Sequence, residues 1–197
     1  MPLSSYAKSL APAVLGLAAL IAALPATGGD QTSKLAGQPI TAETQAQVAE
    51  MIRIADAIDA AVDGKDWALA RSFFTETITV DFTSLVGGEP ATIEADALIA
   101  GWSANLKPSK TSFHLRGNHR VTFEGPDGAV MTSHGYAWNR MEAGARPENG
   151  GNPLWEVWGT YEHRFRREAG VWKVAGMTFE MTAERGNPWV RDTAPDS

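Results

Sequence analysis

The sequence predicts an α+β domain in which several helices precede a sheet of long antiparallel strands. Two observations lead to this class. Apolar residues recur at helical spacing through the first half of the domain, and they alternate with period two through most of the second half. Most of the predicted long strands are joined by short turns. Each should therefore pair with its sequence neighbour, and the helices should cover the apolar face of a bent sheet.

Composition limits the classes of function. The 197 residues, of which 44% are hydrophobic and 20% charged, suffice for one globular domain with its own core. The formal net charge of −6 argues against nucleic acid as a partner. The sequence contains no cysteine, which excludes thiol nucleophiles, disulfides and cysteine-ligated zinc.

The N-terminal segment, residues 1–28, has the pattern of a secretory signal peptide. A basic residue precedes an apolar run from Leu10 to Leu24, and small residues that suit cleavage follow. The run is shorter than the roughly 20 apolar residues of a membrane span, and an uncleaved anchor is the alternative. We therefore predict a periplasmic or secreted protein without membrane contact after cleavage. A flexible leader is expected at residues 29–46, the domain at 47–184 and a polar tail at 185–197.

Three helices are predicted from the apolar spacing. The first is capped by Thr41 or Thr44 and ends at Gly64, the second is short and capped by Asp66, and the third covers residues 92–106.

Five strands are predicted, one short and four long. The short strand, "ITVDFT" at residues 78–83, directs Phe82 toward the apolar side. It places Asp81 on the opposite face, as expected of a surface or structural carboxylate. The long strands cover residues 111–124, 129–141, 154–168 and 170–182. The glycine-rich loop at 142–153 is either a flap over a cavity or a long hairpin connection.

The candidates for acid–base chemistry are the histidines, all of which lie in predicted strands: His114, His119, His134 and His163. His134 shares parity with Tyr136 and Trp138, a bulky face that we expect to point at the helices. A histidine there is either a core residue or a general acid or base that lines a cavity. His119 and His163 are expected at solvent-facing or strand-end positions. Because no metal-ligand spacing or phosphate-binding motif occurs, we predict neither a metal nor a cofactor.

The order of elements and the closing motif "EAGVWKVAGMTF" resemble the nuclear transport factor 2-like superfamily, specifically its SnoaL-like branch. The resemblance covers about residues 47–182. Within that branch, "DGKDWALARSFFTETITVDFTS" at residues 63–84 is similar to the scytalone dehydratases. The resemblance implies a cone-like α+β barrel that encloses a cavity, and cofactor-free acid–base chemistry inside it.

The resemblance also implies a catalytic set of Asp63, His114 and His134, in which Asp63 orients His134. Two expected tyrosines are absent, because Val62 and Phe82 stand at their positions. An expected serine and asparagine are replaced by a glycine and a tyrosine. The residues predicted to line a substrate cavity are Phe82, Tyr136, Trp138, Trp155, Gly159 and Tyr161.

Two classes of function fit this sequence. The first is a dehydratase-like lyase or isomerase that acts without a cofactor on a small apolar or polycyclic substrate. The alternative is a non-catalytic protein of the cell envelope that binds a small ligand in the same cavity. A third class, a structural module, is less favoured than these two. Homo-oligomers are expected through the open face of the sheet, where Trp158, Trp172 and Val174 are predicted to lie.

Overall fold

A computed structural model describes residues 41–141 and 151–193. The predicted signal peptide and residues 142–150 of the glycine-rich loop lie outside these ranges. The elements follow in the order α1 (Ala42–Asp63), α2 (Trp67–Ser72), β1 (Phe74–Asp81), α3 (Thr83–Val86), β2 (Ala91–Glu94), α4 (Ala95–Asn105), β3 (Lys110–Phe123), β4 (Gly128–Met141), β5 (Leu154–Glu168), β6 (Val171–Gly186) and α5 (Pro188–Asp192). No helix within the described ranges is long and apolar enough to cross a membrane.

The described strands form one sheet in the order β2-β1-β6-β5-β4-β3. Strands β3 to β6 form the predicted antiparallel meander. Strand β1 runs parallel to β6 and antiparallel to β2, so the sheet is mixed rather than wholly antiparallel. The predicted α+β class is confirmed.

The cap residues that the sequence predicts for the first two helices are confirmed. Thr41 and Thr44 form a capping box at the start of α1, and Gly64 follows its last residue. The Asp66 side chain accepts a hydrogen bond from the Leu69 amide at 3.0 Å and so begins α2.

The predicted bounds of β1 and of the third helix are wrong. Strand β1 begins at Phe74, which is 1% exposed, because this ring packs in the core. Residues 92–94 were predicted to be helical but belong to β2, in which the Thr92 hydroxyl lies 3.0 Å from that of Thr79 on β1. Asp81 has the structural role that was expected of it, since it accepts hydrogen bonds from the Thr83 amide and hydroxyl.

Irregularities in the long strands bend the sheet. The β3–β4 register shifts between Gly117 and Arg120, where Asn118 has a φ of 56°. The β5–β6 register shifts after Trp158 and again after Arg164. Such bulges increase the local twist and bend of a strand. The concave side of this sheet faces α1.

The prediction that the bulky face of β4 points at the helices is wrong. Residues with the parity of His134 lie on the outer face, and the alternate residues are buried. On β4, the side chains that face the concave side are small or flexible, such as Ala129, Met131 and Ala137. The rings of the outer face instead pack side by side across strands, as Tyr136 does with Trp158 at 5.2 Å.

Only some of the residues predicted for the open face of the sheet lie on that face. Trp172 and Val174 are 1% and 0% exposed and belong to the core, because the β6 residues at this parity turn inward. On β3, Phe113 and Leu115 remain 41% and 58% exposed. Self-association through the outer face stays a prediction.

The segment predicted as a polar tail contributes the end of β6 and the helix α5. The Asn187 side chain caps α5, and Val190 is fully buried against the sheet. Lys110, also fully buried, donates from Nζ to Asn105 Oδ1 at 2.7 Å and to the Arg191 and Thr193 carbonyls at 3.1 Å. Burial lowers the pKa of Lys110 to about 8.

A line of acid–base contacts, which we call the α1–β3 seam, joins the first helix to the sheet. It comprises Asp56 with His119, Asp59 with Arg116 and Asp63 with His114. The Asp59–Arg116 pair is the most buried, with side chains 10% and 3% exposed. Nε and Nη2 of Arg116 both donate to the Asp59 carboxylate, the latter at 2.6 Å, in the bidentate geometry that guanidinium favours.

Removing one partner of this buried pair should destabilise the protein strongly. Asp59→Ala leaves the guanidinium buried without its anion, and such losses cost about 3–5 kcal/mol. The double variant Asp59→Leu, Arg116→Met removes both charges and should recover most of that loss. Denaturant unfolding of the wild type and the variants measures the difference. If the double variant loses as much free energy of unfolding as the two single variants lose together, this account of the pair is wrong.

Candidate active site

A cavity of about 320 Å³ lies between α1 and the concave face of the sheet. Its walls are largely apolar and include side chains from α1, α4 and β6. Its polar lining consists of Asp59, Asn105, His114, Arg116, Asn139, Tyr161 and Arg191. A mostly apolar pocket with a few convergent polar groups is typical of sites that bind small molecules.

His114 and Asp63 form a hydrogen-bonded dyad at the wall of this cavity. The Nδ1 atom of His114 lies 2.7 Å from Asp63 Oδ1, and the backbone amide of His114 donates to Asp63 Oδ2 at 2.8 Å. The side chains are only 19% and 20% exposed. Both carboxylate oxygens are therefore held by one residue of β3, which fixes the imidazole ring relative to α1.

The Asp63 carboxylate stays ionised in this environment. Burial by itself raises the pKa of Asp63, but the hydrogen bonds and charge of His114 outweigh burial, and the pKa is lowered below 3.8. An ionised Asp63 accepts the proton of His114 Nδ1, so the neutral ring carries its lone pair on Nε2. That nitrogen has no hydrogen-bond partner among the described residues, and His114 lines the cavity.

The expected pairing of Asp63 with His134 is wrong. His134 lies on the exposed outer face of β4, where its Nδ1 is 3.0 Å from Asn118 Nδ2. The backbone of β4 separates it from the cavity because residues of its parity point outward. Asp63 orients His114 instead, so the predicted His–His–Asp set reduces to one histidine and one aspartate.

Tyr161 lines the same cavity and packs against the seam. Its ring centroid lies 3.7 Å from the guanidinium carbon of Arg116. Gly135 makes room for the ring, since a Cβ there would lie 2.3 Å from Tyr161 Cε2. Burial, with a smaller contribution from the charges of Asp59 and Asp63, raises the pKa of Tyr161 to about 12. The hydroxyl is therefore a proton-carrying donor near neutral pH, and it has no partner among the described residues.

His163 is fully buried, which corrects the prediction of a solvent-facing or strand-end residue. Its Nε2 accepts from Nη1 of Arg116 at 3.2 Å. Burial lowers the pKa of His163 well below the usual value, so the ring is neutral and can accept that hydrogen bond. His163 thus supports Arg116 from behind.

The predicted cavity-lining residues divide into two groups. Phe82, Trp155 and Tyr161 line the cavity. Trp155 is held by a 2.7 Å hydrogen bond from its Nε1 to Glu184.

The other three are not part of the lining, which corrects their assignment. The Tyr136 hydroxyl donates to Glu156 at 2.8 Å, and Trp138 stacks on Phe113, both on the outer face. Gly159 faces inward but lies beneath Phe179, whose Cζ would be 2.5 Å from a Cβ at that position. Phe179, rather than Gly159, therefore forms this part of the wall.

Sequence reasoning missed five polar residues of the lining: Asp59, Asn105, Arg116, Asn139 and Arg191. The spacing of the seam aspartates, three and four residues apart, puts them on one side of α1 together with apolar residues, and this signal was available. Arg116 shares the parity of His114. Asn139 and Arg191 had no such signal, because the first depends on the inverted parity of β4 and the second on α5.

Within residues 41–141 and 151–193, no group of three or more histidine, aspartate or glutamate side chains is placed to hold a metal ion. The chemistry that the described residues themselves can supply is proton transfer at His114 Nε2 and hydrogen-bond donation from Tyr161.

The bent sheet, its covering helices and the enclosed cavity define a nuclear transport factor 2-like domain. Within that class, the chain belongs to the SnoaL-like family, whose model matches residues 43–178. No protein of curated function matches the sequence.

Solved structures share this fold. The Kfla4162 protein from Kribbella flavida is 25% identical, with a TM-score of 0.68, over 77% of this chain and 99% of that one. A scytalone dehydratase-like protein from Novosphingobium aromaticivorans is 16% identical, with a TM-score of 0.64, over 75% and 92%. The hexachlorocyclohexane dehydrochlorinase LinA-type3 from Novosphingobium barchaimii is 14% identical, with a TM-score of 0.60, over 73% and 92%.

The lowered pKa of Asp63 predicts a pH-dependent contribution to stability. At about pH 7, Asp63→Asn should melt at a lower temperature than the wild type, because the amide lacks the charge that binds His114. The contribution of an aspartate with a lowered pKa is complete above its usual pKa of 3.8 and is lost as the pH falls through the folded-state value. The two melting temperatures should therefore begin to converge only as the pH falls below 3.8.

Thermal unfolding between these pH values measures the convergence. Asp127→Asn, which removes an exposed carboxylate from the β3–β4 turn, is the matched control and should follow the wild type throughout. A deficit of Asp63→Asn that stays constant down to the lowest pH would show that charge is not its cause.

Proposed function

We propose that the protein is a cofactor-free lyase or isomerase that removes a proton from a small, largely apolar substrate. The single observation that carries this proposal is the dyad: Asp63 holds Nδ1 of His114 at 2.7 Å, and His114 lines an apolar cavity with its Nε2 unpartnered by any described residue. A neutral imidazole in this arrangement is a general base suited to neutral pH.

The reaction follows from the positions of these groups. Nε2 of His114 takes a proton from a carbon next to a substrate carbonyl, and the electrons of the C–H bond move toward the carbonyl oxygen. Asp63 stabilises the imidazolium that forms. The Tyr161 hydroxyl donates to the oxygen as its negative charge develops, in the manner of an oxyanion hole.

The proton on Nε2 then determines the product. If a hydroxyl group leaves from the neighbouring carbon, it takes this proton and departs as water, and the electrons form a carbon–carbon double bond. If the proton is returned to a different carbon, the double bond moves and the reaction is an isomerisation. In both cases His114 ends unprotonated and no other reactant is consumed.

The names of two structures that share the fold agree with this class of reaction. One is a dehydrochlorinase and the other is scytalone dehydratase-like, and both names denote eliminations. Their identities of 14% and 16% support a common fold only. The argument for chemistry therefore depends on the dyad of this chain.

A non-catalytic small-ligand-binding protein is the second candidate. Val62 and Phe82 line the cavity at the positions where the family resemblance implies tyrosines. With apolar side chains there, the walls favour burial of a ligand and supply fewer groups for chemistry. In that case the dyad is a structural hydrogen bond between α1 and β3.

Exchange of the α-hydrogens of a bicyclic ketone in D₂O tests proton removal without knowledge of the natural substrate. With 1-tetralone as the probe and NMR as the readout, the wild type should accelerate exchange over buffer. His114→Ala should lose about 10²- to 10⁴-fold of that rate, the usual contribution of a positioned base. The probe's affinity for both proteins is measured separately.

His134→Ala is the matched control, because it removes the same side chain from the outer face and should exchange at the wild-type rate. If the wild type binds the ketone without accelerating exchange, the binding protein is favoured. Equal rates for the two variants would exclude His114 as the base.

We also propose that the protein is exported, on the basis of the signal-peptide pattern in residues 1–28. The mature chain should begin near residue 29 and be recovered from the periplasm or the medium of an expressing bacterium. The intact mass of the recovered protein measures the cleavage site. A full-length chain that stays in the membrane fraction would favour the uncleaved anchor.

A further inference from the structure

Lys65 has a backbone conformation that its residue type disfavours. Its φ of 60° lies in the left-handed region, directly after Gly64 at the end of α1. Helices often end with a residue in this conformation, and glycine is the residue that adopts it without strain. A lysine here is uncommon, and such outliers collect at functional sites. The strain points to a role of the lysine side chain that glycine could not fill.

The Lys65 side chain reaches the dyad through one buried residue. Its Nζ donates to Ser112 Oγ at 2.7 Å. Ser112 is 5% exposed, and its hydroxyl in turn donates to the Asp63 carboxylate. Burial lowers the pKa of Lys65, and the charge of Asp63 opposes that fall. An ammonium group is therefore connected to the carboxylate of the dyad by a short chain of hydrogen bonds.

The charge of Asp63 has two opposed effects on His114. It orients the ring by holding Nδ1 at 2.7 Å. A carboxylate beside an imidazole also favours the imidazolium form, because opposite charges attract. A general base must be unprotonated to act. A cation that is fixed close to Asp63 offsets part of this charge and so leaves the ring oriented but free to accept a proton.

The other groups that face His114 from the described strands are paired or neutral. Arg116, two residues along β3, forms a bidentate pair with Asp59. From β4, the residue opposite His114 is Ala137, which carries no charge. From β5, Tyr161 lines the same cavity, and its raised pKa keeps the hydroxyl neutral. None of these groups offsets the charge of the dyad.

A second ammonium group, that of Lys110, is close enough to interact with the charge of Lys65. Its hydrogen bonds, however, go to Asn105 and to two carbonyl groups in the α5 segment. Among the described residues, Lys65 is therefore the cation whose hydrogen bonds lead to Asp63.

We propose that Lys65, acting through Ser112, is a positioning residue that keeps Nε2 of His114 unprotonated near neutral pH. The inference rests on the proposed function, in which this nitrogen is the base. A lysine just after a helix also opposes the helix dipole, which is a purely structural role. The two roles differ in what they change, because the structural role affects stability and the positioning role affects the protonation of His114.

NMR titration of the four histidine rings measures that protonation directly and requires no turnover. The signals of His114 are those that are absent from His114→Ala. Lys65→Met removes the charge and keeps most of the side-chain length. It should raise the midpoint of the His114 titration by about 0.5 to 1.5 pH units, the effect of unit charges roughly 7 Å apart at an effective dielectric constant of about 20 to 80. Lys65→Arg keeps the charge and should titrate near the wild type.

Two further variants separate charge from folding. Lys65→Gly removes the same charge and suits the positive φ, so it should stay folded and show the same shift as Lys65→Met. Lys173→Met is the matched control, because it removes a cation that donates to the Ser72 carbonyl at 3.1 Å, and it should leave the midpoint unchanged. Melting temperatures report the stability of each variant.

The exchange of the 1-tetralone α-hydrogens connects the midpoint to the proposed reaction. In Lys65→Met the rate should fall about 3- to 30-fold in the acidic part of the pH profile, as the shift of the midpoint requires. At pH values above both midpoints the rate should equal that of the wild type. A purely structural defect would lower the rate by the same factor at every pH.

An unchanged or lowered His114 midpoint in folded Lys65→Met or Lys65→Gly would overturn the proposal, as would an equal shift in Lys65→Arg. If the wild type does not accelerate exchange, the proposed function fails, yet the titration still decides whether Lys65 controls the protonation of His114. Failure of the positioning proposal and failure of the catalytic one therefore give different results.

Discussion

The buried ion pair between Asp59 and Arg116 is the contact on which the position of α1, and with it the candidate active site, depends. Two charges with exposures of 10% and 3% are tolerated only in a geometry that satisfies their hydrogen bonds. This requirement selects one register of helix against strand. Asp63 lies four residues beyond Asp59, just over one helical turn, and so comes to face His114, two residues from Arg116 on β3. The dyad is thus positioned by a neighbouring pair that need not take part in chemistry.

The cavity shows a clear division between satisfied and unsatisfied polar groups. The charged side chains of its lining are paired within the protein, Arg116 with Asp59 and Arg191 with Asp192. Among the described residues of the lining, the groups left without partners are Nε2 of His114, the Tyr161 hydroxyl and the Asn139 amide. Such a site discriminates by shape and by hydrogen bonding to neutral atoms rather than by net charge.

Much of the fold could be predicted from the sequence, because periodicity and caps are local signals. The long meander, the first helix with its Thr41 cap, and the confirmed family resemblance are of this kind. The site was predicted less well. Alternation divides β4 into two faces but does not say which is concave, and the bulky face proved to be the outer one. Which histidine pairs with Asp63 depends on which face of β4 is concave and on the bulge after Gly117. Both are properties of the assembled sheet rather than of the local sequence.

The hydrogen bonds by which Lys110 holds α5 have a practical consequence for the choice of expression boundaries. The family model matches the chain only to residue 178, yet Arg191 forms part of the cavity wall and its carbonyl is bound by a fully buried ammonium group. A fragment cut at the end of the family match would leave that ammonium group without two of its three acceptors and open the cavity on one side. The functional unit of this protein is therefore longer than its recognisable domain.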